Sequence, residues 1–215
     1  MLQFHLFFSL NQRTLVRALN FEIRLIVDRC PSAIDIPSFE RHLLRVASAG
    51  VSPLIAGTMG EAIHLSHSER VKLIQVARKV LNNASLTHVP IIAGTGAGST
   101  RETVELTLQA AGAGADYAIV IASGYFAGAL VNDREALKAF WVEVADRSLI
   151  PVMIYNCTFI PLFLVINAIF SSPQDPSASG GIDLDSDLII QLAKECPNIC
   201  GVKLTYVNFI LFPSH

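Results

Sequence analysis

Short apolar runs recur along this chain, and a turn residue closes each of them. They are rich in β-branched residues and hydrophobic at consecutive positions, as in strands of a parallel sheet that is covered on both faces. The runs read SPLIAG (52–57), VPIIAG (89–94), YAIVIA (117–122), PVMIYN (151–156) and CGVKLT (200–205). We therefore predict five buried strands.

Helical patterns with start and stop signals alternate with these runs. The first, 37–50, has Pro37 near its start and Gly50 at its end. Three capping boxes and one further cap-and-helix pattern follow, at Ser66 to Glu69, Ser99 to Glu102, Asn132 to Glu135 and 183–195. Strands alternating with helices predict βα units and a parallel sheet.

Two of these helices carry further signals. After the first capping box, residues recur at helical spacing on one face, namely Arg70, Leu73, Ile74, Ala77 and Leu81. The helix that follows Ser99 meets Gly112 and Gly114, either of which would end it.

Composition limits the partners of the chain. It is 52% hydrophobic and 16% charged, its net charge is −2, and it has no long basic run, which argues against nucleic acid or an anionic membrane surface. The uncharged stretch 148–174 is interrupted by proline and asparagine, so we do not interpret it as a membrane span. The start of the chain lacks a basic leader.

The four cysteines form no CxxC pair; they are Cys30, Cys157, Cys196 and Cys200. We interpret them as reduced thiols of a reducing compartment, and we predict a cytoplasmic location.

A lysine stands inside the last apolar run, at position 203. A charged, unpaired lysine inside a protein costs several kcal/mol. Either Lys203 extends to solvent from a strand end, or it is kept neutral for chemistry. On a strand, Gly201, Lys203 and Thr205 share one face, and Gly201 leaves room beside the amine.

Four segments together resemble the dihydrodipicolinate synthase / N-acetylneuraminate lyase family of pyruvate-dependent class I aldolases. They are GTMGEAIHLSHSER (57–70), IIAGTGAGSTRETVELTLQAAGAGAD (91–116), PVMIYN (151–156) and GIDLDSDLIIQLAKECPNICGVKLT (181–205). The resemblance covers about residues 35–156 and 180–205. It implies a (β/α)8 barrel, a lyase activity and no metal or other cofactor.

The resemblance also implies roles for single residues. Lys203 matches the lysine of the family's sixth barrel strand, which forms an imine with pyruvate or a 2-oxo acid, and such an amine attacks only when it is neutral. Tyr155 matches the proton-shuttling tyrosine that ends the fifth strand. The alternative for Tyr155 is an aromatic core residue.

The substrate-binding residues implied by the resemblance lie on loops. Gly57, Thr58, Met59 and Gly60 match the turn that binds the substrate carboxylate through backbone N–H groups, and Met59 stands where the family often has a hydroxyl. For the two glycines, the alternative is turn geometry alone. Thr205 follows Lys203 on its strand.

One further region departs from the family. Tyr125 matches the first tyrosine of its TPYY segment, but Phe126 replaces the second, which completes a proton relay across a subunit interface. We therefore rank condensation with aspartate semialdehyde below cleavage of a 2-keto-3-deoxy sugar acid or 4-hydroxy-2-oxoglutarate; an acylneuraminate stays open. The family commonly forms tetramers, which makes a homo-oligomer an expectation.

The chain carries too few βα units for a whole barrel, which usually needs about 250 residues. Only FEIRLIVD (21–28) offers a further strand, so the first predicted strand and the Lys203 strand are expected to expose unpaired edges. We interpret 1–215 as one incomplete barrel domain. An atypical insertion, 158–179, follows the fifth strand, and atypical ends cover 1–33 and 206–215.

Three other functions compete with a class I aldolase. The chain could be a catalytically defective family member that acts only as a binding or interaction fragment. His64, His67 and Glu61 could hold a metal, but they flank a helix cap and offer no closed ligand set. The loop GTGAGS (94–99) resembles a phosphate-binding loop, but it lacks the Walker lysine.

Overall fold

The described residues of this computed structural model, 6–9, 20–22, 34–156 and 181–204, form one seven-stranded sheet with helices between its strands. The strands are β1 (Leu6–Ser9), β2 (Asn20–Glu22), β3 (Ser52–Ile55), β4 (Ile92–Gly94), β5 (Tyr117–Ile121), β6 (Val152–Asn156) and β7 (Ile199–Leu204). The helices are α1 (Ile36–Ser48), α2 (His67–Asn83), α3 (Thr100–Ala113), α4 (Ala127–Leu130), α5 (Arg134–Arg147) and α6 (Ser186–Glu195), with a 3-10 turn at Ala62–His64.

The five predicted strands are confirmed as β3 to β7, with ends within three residues of the predicted ones. Consecutive strands from β2 to β7 are neighbours and run parallel. Their carboxyl ends therefore lie at one edge of the sheet, which is where βα loops build ligand sites in parallel α/β folds.

The two outer strands change the prediction of exposed edges. Asn20–Glu22 pairs parallel with β3, which confirms the first two residues of the 21–28 candidate; its other residues lie outside the described part. The expectation of unpaired edges at the first predicted strand and at the Lys203 strand is wrong, because β2 pairs with β3 and β1 pairs antiparallel with β7. The backbone N–H and C=O groups of β1 bond to those of β7. Left unpaired, the edge of β7 could pair with a strand of another chain.

The helix caps follow the sequence closely, with two corrections. The box at Ser66 and Glu69 is complete. At α3 only half of the predicted box forms, since Ser99 accepts from the Glu102 N–H while the Glu102 carboxylate contacts His67 Nε2 at 3.1 Å. At α5 the cap is Asp133, one residue after the predicted Asn132, and its carboxylate accepts from the Ala136 N–H.

Glycines end two helices as predicted. Gly114, with φ of +102°, is the C-cap of α3, whereas Gly112 lies inside that helix. Gly50, with φ of +78°, follows the end of α1. The positive φ of both is easy for glycine and costly for other residues.

Apolar side chains pack on both faces of the sheet. On its outer face, α1, α2 and α3 pack on β3 and β4, while α5 and α6 pack on β5 to β7 around the buried Trp141. The predicted face of α2 is confirmed as buried at Leu73, Ile74, Ala77 and Leu81. On the inner face a smaller cluster joins Leu54, Ile92, Ile119, Met153, Tyr117, Tyr155 and Cys200.

Several predictions fall outside the described residues. These are the insertion 158–179, the end 206–215, most of 1–33, Thr205, Cys30 and Cys157. Within the described part, none of the helices has the length and apolar character that a membrane crossing requires.

Candidate active site

Lys203 and Tyr155 meet because β6 and β7 are parallel neighbours in the required register. Tyr155 pairs with Lys203 across the two strands, and both stand near the carboxyl ends of their strands. The lysine Nζ lies 3.8 Å from the centroid of the Tyr155 ring. A side chain from each of two adjacent strands thus contributes to one point of the inner face.

Lys203 is buried rather than extended to solvent. Its side chain is 1% exposed, and it is among the largest fully buried side chains of the described residues. The solvated strand end, one of the two interpretations open from the sequence, is therefore wrong.

The surroundings on the inner face are apolar. Cys200, three residues before Lys203, packs in the inner cluster and contacts the Val152 carbonyl at 3.5 Å through its Sγ. Burial raises the pKa of the Cys200 thiol to about 11, because the thiolate would lose its hydration there. An amine beside a phenol in such surroundings can attack a carbonyl carbon and exchange protons with its neighbour.

The turn after β3 is closed by its own backbone. The Ala62 N–H donates to the Gly57 carbonyl and the Glu61 N–H donates to the Thr58 carbonyl, each at 3.2 Å. Positive φ angles of 55° and 56° fall at Ala56 and Glu61, which flank the turn. The described Gly57 and Gly60 do not have positive φ, so left-handed backbone geometry does not explain these two glycines. Left-handed conformations of residues other than glycine store strain, and such strain is frequent at ligand-binding turns.

Gly94 lets this turn lie against the neighbouring strand. A Cβ added at Gly94 would stand 2.0 Å from the Ala56 carbonyl oxygen, a backbone atom that has no freedom to move aside. The glycine that closes the second predicted apolar run thus has a packing reason, which is the close approach of β4 to the turn after β3.

The other predicted binding residues are more exposed than Lys203. Thr58 is exposed, Met59 is 40% exposed and Gly60 is buried. Tyr125 is 82% exposed, and its ring contacts Phe126 edge to face with centroids 4.8 Å apart. Gly57 and Thr58 begin the turn at the same edge of the sheet as Lys203, whereas Thr205 lies outside the described residues.

Asn156 is a residue that sequence reasoning did not assign. It is buried, and its side chain donates to Asp183 Oδ1 at 2.8 Å and to the Leu184 carbonyl at 3.0 Å, while its Oδ1 accepts from the Leu184 N–H at 3.1 Å. This amide ties the end of β6 to the segment that precedes α6. A polar residue directly after the Tyr155 position was the available signal.

Arg70 is the second residue that was missed. It belongs to the predicted apolar face of α2, and a charged residue on such a face was the signal. Its Nη2 donates to the Ala62 carbonyl at 2.7 Å, which connects α2 to the turn after β3. Burial lowers the pKa of the Arg70 guanidinium from its ordinary value, and the charge of Glu102 opposes that shift.

The metal alternative has no support in the described part of the chain, where three or more histidine, cysteine or acidic side chains are not grouped as a metal would need. His67 Nε2 instead contacts the Glu102 carboxylate at 3.1 Å.

Residues 40–161 match the model of the dihydrodipicolinate synthetase family. The chain is 38% identical over 176 residues to the L-threo-3-deoxy-hexylosonate aldolase of Aspergillus niger, covering 81% of this chain and 47% of that protein. It is 39% identical over 176 residues to a protein of Emericella nidulans named "Probable 4-hydroxy-2-oxoglutarate aldolase, mitochondrial", covering 81% and 50%.

A solved structure gives the same result for the fold. YagE, a prophage protein of the dihydrodipicolinic acid synthase family from E. coli K12 in complex with pyruvate, has a TM-score of 0.65 and 28% identity, covering 84% of this chain and 51% of that chain. The predicted (β/α)8 barrel class, in incomplete form, is thereby confirmed. The chain spans about half the length of the relatives that it matches.

Proposed function

The chain belongs to the dihydrodipicolinate synthetase family, and on this premise we propose that it is a class I aldolase or lyase whose Lys203 forms an imine with pyruvate. The observation that carries the proposal is the fully buried amine of Lys203, 3.8 Å from the centre of the Tyr155 ring. A buried amine at a strand end, next to a phenol, has the position that a nucleophilic lysine needs.

The proposed steps use only groups of this chain and the substrate. The neutral amine of Lys203 adds to the keto carbon, and the resulting carbinolamine loses water to give the imine. The imine at C2, when protonated, withdraws the electron pair of the C3–C4 bond, while the C4 hydroxyl loses its proton and the aldehyde leaves. The enamine that remains takes up a proton, and water then releases pyruvate. Tyr155 would carry protons to and from the reacting oxygen atoms.

The substrate carboxylate would be held at residues 57–60. The turn follows β3 at the carboxyl edge of the sheet, the edge at which Lys203 and Tyr155 stand. Backbone N–H groups in a tight turn suit a carboxylate. The exposed Thr58 and Met59, together with Tyr125, would border the entrance for the substrate.

We propose cleavage of a 2-keto-3-deoxy sugar acid or of 4-hydroxy-2-oxoglutarate as the reaction. The names of the Aspergillus niger and Emericella nidulans relatives support these two substrate classes. Phe126 in place of a tyrosine, and Met59 in place of a hydroxyl residue, remove two groups of a condensing relay. Condensation with aspartate semialdehyde therefore ranks below the two cleavages.

A catalytically defective member is the second candidate. The observation that favours it is the replacement of two proton-relay groups of the family by Phe126 and Met59. Such a chain would bind oxo acids or other subunits without turnover. A homo-oligomer and a cytoplasmic location stay proposals, and the name of the Emericella nidulans relative places that protein in mitochondria.

Release of pyruvate from each oxo acid separates the two candidates. The full chain is incubated with 4-hydroxy-2-oxoglutarate and with 2-keto-3-deoxy sugar acids. Released pyruvate is measured through the NADH that added lactate dehydrogenase consumes. Turnover in the wild type, lost in Lys203→Met, supports the aldolase. Folded protein without turnover on any of them, as with Lys203→Met, supports the defective member.

A further inference from the structure

Arg70 connects the body of α2 to the turn at 57–62. Its Nη2 donates to the Ala62 carbonyl at 2.7 Å, and the Ala62 N–H in turn donates to the Gly57 carbonyl at 3.2 Å. Two hydrogen bonds thus run in series from the guanidinium to the first residue of the turn. Because a charged donor makes the stronger kind of hydrogen bond, this contact can hold the turn in one shape.

The other two nitrogen atoms of the Arg70 guanidinium are buried without a hydrogen-bond partner among the described residues. They are Nε and Nη1, and Oε1 of Gln109 is likewise buried without a partner in the described part of the chain. Buried donors and acceptors without partners are rare in folded proteins, and each needs an explanation. Arg70 and Gln109 line the same cavity between α2 and α3, which the end of β4 closes at Gly94 and Thr95.

The size of this cavity limits its occupant. The accessible volume is about 10 Å³, close to the minimum that one water molecule needs. The chemistry of the walls agrees with water. A water oxygen can accept from the Arg70 donors while one of its hydrogens is donated to Gln109. The Gln109 oxygen would repel an anion in this cavity, and the Arg70 guanidinium would repel a cation.

We propose that Arg70 is a positioning residue for the carboxylate-binding turn, held in place by one buried water molecule that joins its Nε and Nη1 to Gln109 Oε1. The inference rests on the proposed function, since it assigns the turn at 57–62 to the substrate carboxylate. Arg70 reaches this turn through Ala62 and acts on the substrate only through the shape of the turn.

The same helix offers a matched control. Arg78 lies two turns further along α2 and also donates to a backbone carbonyl, that of Gly114, at 3.0 and 3.1 Å. It contacts Asp116 as well, directly before β5 and hence at the opposite edge of the sheet. Loss of Arg78 removes a comparable structural contact far from the turn.

The first test compares Arg70→Met, Arg70→Lys and Arg78→Met in the full chain, with folding checked by circular dichroism. The adduct with pyruvate is trapped by borohydride at increasing pyruvate concentration. Arg70→Met raises the half-saturating concentration about tenfold, as the loss of one charged hydrogen bond predicts, while the rate at saturation stays within about twofold. Arg70→Lys keeps one donor and recovers part of the affinity, and Arg78→Met leaves both values unchanged.

The second test does not depend on pyruvate. Hydrogen exchange of the amides in 57–65 accelerates about tenfold in Arg70→Met and not in Arg78→Met. A crystal structure of the chain, once determined, should contain a water within hydrogen-bond distance of Arg70 Nε or Nη1 and of Gln109 Oε1. Unchanged exchange in Arg70→Met, or a dry cavity, overturns the inference.

The proposed function and the role of Arg70 can be contradicted separately. No adduct in the wild type at any pyruvate concentration contradicts the proposed function, while exchange at 57–65 still decides whether Arg70 holds the turn. Adduct formation in the wild type with an unchanged half-saturating concentration in Arg70→Met contradicts the role of Arg70 alone.

Discussion

Lys203 and Tyr155 are register partners on neighbouring parallel strands, and the amine of one lies 3.8 Å from the ring centre of the other. The relation follows from backbone pairing, since a shift of one residue in either strand would turn one side chain to the opposite face of the sheet. The packing of β6 against β7 therefore decides whether the two groups can act together.

Tyr155→Phe separates the ring from the hydroxyl. The ring contact with Lys203 is kept, so the free energy of unfolding stays within about 1 kcal/mol. The rate of imine formation with pyruvate falls by about 10²-fold or more, because a group that transfers protons is lost. Reactions stopped with borohydride at successive times give the rate of imine formation, and urea denaturation gives the free energy of unfolding.

Tyr117→Phe is the control for this variant. Tyr117 packs in the same inner cluster, but it stands at the start of β5, at the opposite edge from Tyr155. The control leaves the rate unchanged. Equal rates in Tyr155→Phe and the wild type would contradict the proton-transfer role of Tyr155.

The sequence predicts the parallel strands well because each apolar run carries its own local signal. Strands β3 to β7 and the caps Ser66 and Gly114 depend on neighbours within a few residues. The pairing of β1 with β7 was not predictable, since it joins residues almost 200 positions apart and has no local signal. The same reason applies to Glu102, which is diverted from its capping box by His67 on another helix.

The site divides in the same way. Lys203 and Tyr155 are predicted from motifs, whereas Asn156 and Arg70 also bond backbone carbonyls that no motif specifies. A hydrogen bond to a carbonyl places no demand on the type of residue that carries the carbonyl. The sequence therefore does not predict that Leu184 and Ala62 are the partners.

Two glycines of α3 should respond oppositely to alanine. Gly112 lies inside the helix with open space around it, so Gly112→Ala stabilises the protein by about 0.5–1 kcal/mol. Gly114 has a φ of +102°, and a Cβ there would stand 3.3 Å from Arg78 Cγ. Gly114→Ala therefore destabilises by about 1 kcal/mol or more. Urea denaturation measures both, and changes of equal sign would contradict the assigned cap.

Asn156→Ala tests the tie between β6 and the start of α6. The variant removes three hydrogen bonds and leaves the Leu184 N–H buried, so we expect a loss of about 2–4 kcal/mol in the free energy of unfolding. Asn83→Ala, at the exposed end of α2, is the control and loses no more than about 0.5 kcal/mol. Similar losses in the free energy of unfolding for the two variants would show that the Asn156 hydrogen bonds do not stabilise the fold.

Cys200 provides a pH-dependent probe of the inner face. Burial raises the pKa of its thiol from 9.0 to about 11, so the folded chain keeps the thiol protonated at pH 9, where the unfolded chain is partly ionised. The resulting stabilisation is present below pH 9 and is lost as the pH rises through 11. Only the thiolate reacts with iodoacetamide.

Alkylation of Cys200, followed by peptide mass spectrometry, should therefore rise with an apparent pKa near 11 in the folded chain. In urea the same peptide should titrate near its ordinary value of 9.0. A folded-state profile centred at 9 would mean that water reaches the inner face beside Lys203.

The most direct measurement is the mass of the chain after incubation with pyruvate and borohydride, followed by peptide mapping. Lys203 of the folded wild type should carry one added pyruvate residue, in reduced form, and Lys203→Met should carry none. Folded wild-type protein without this adduct, or with the adduct on another lysine, would contradict the assignment of Lys203.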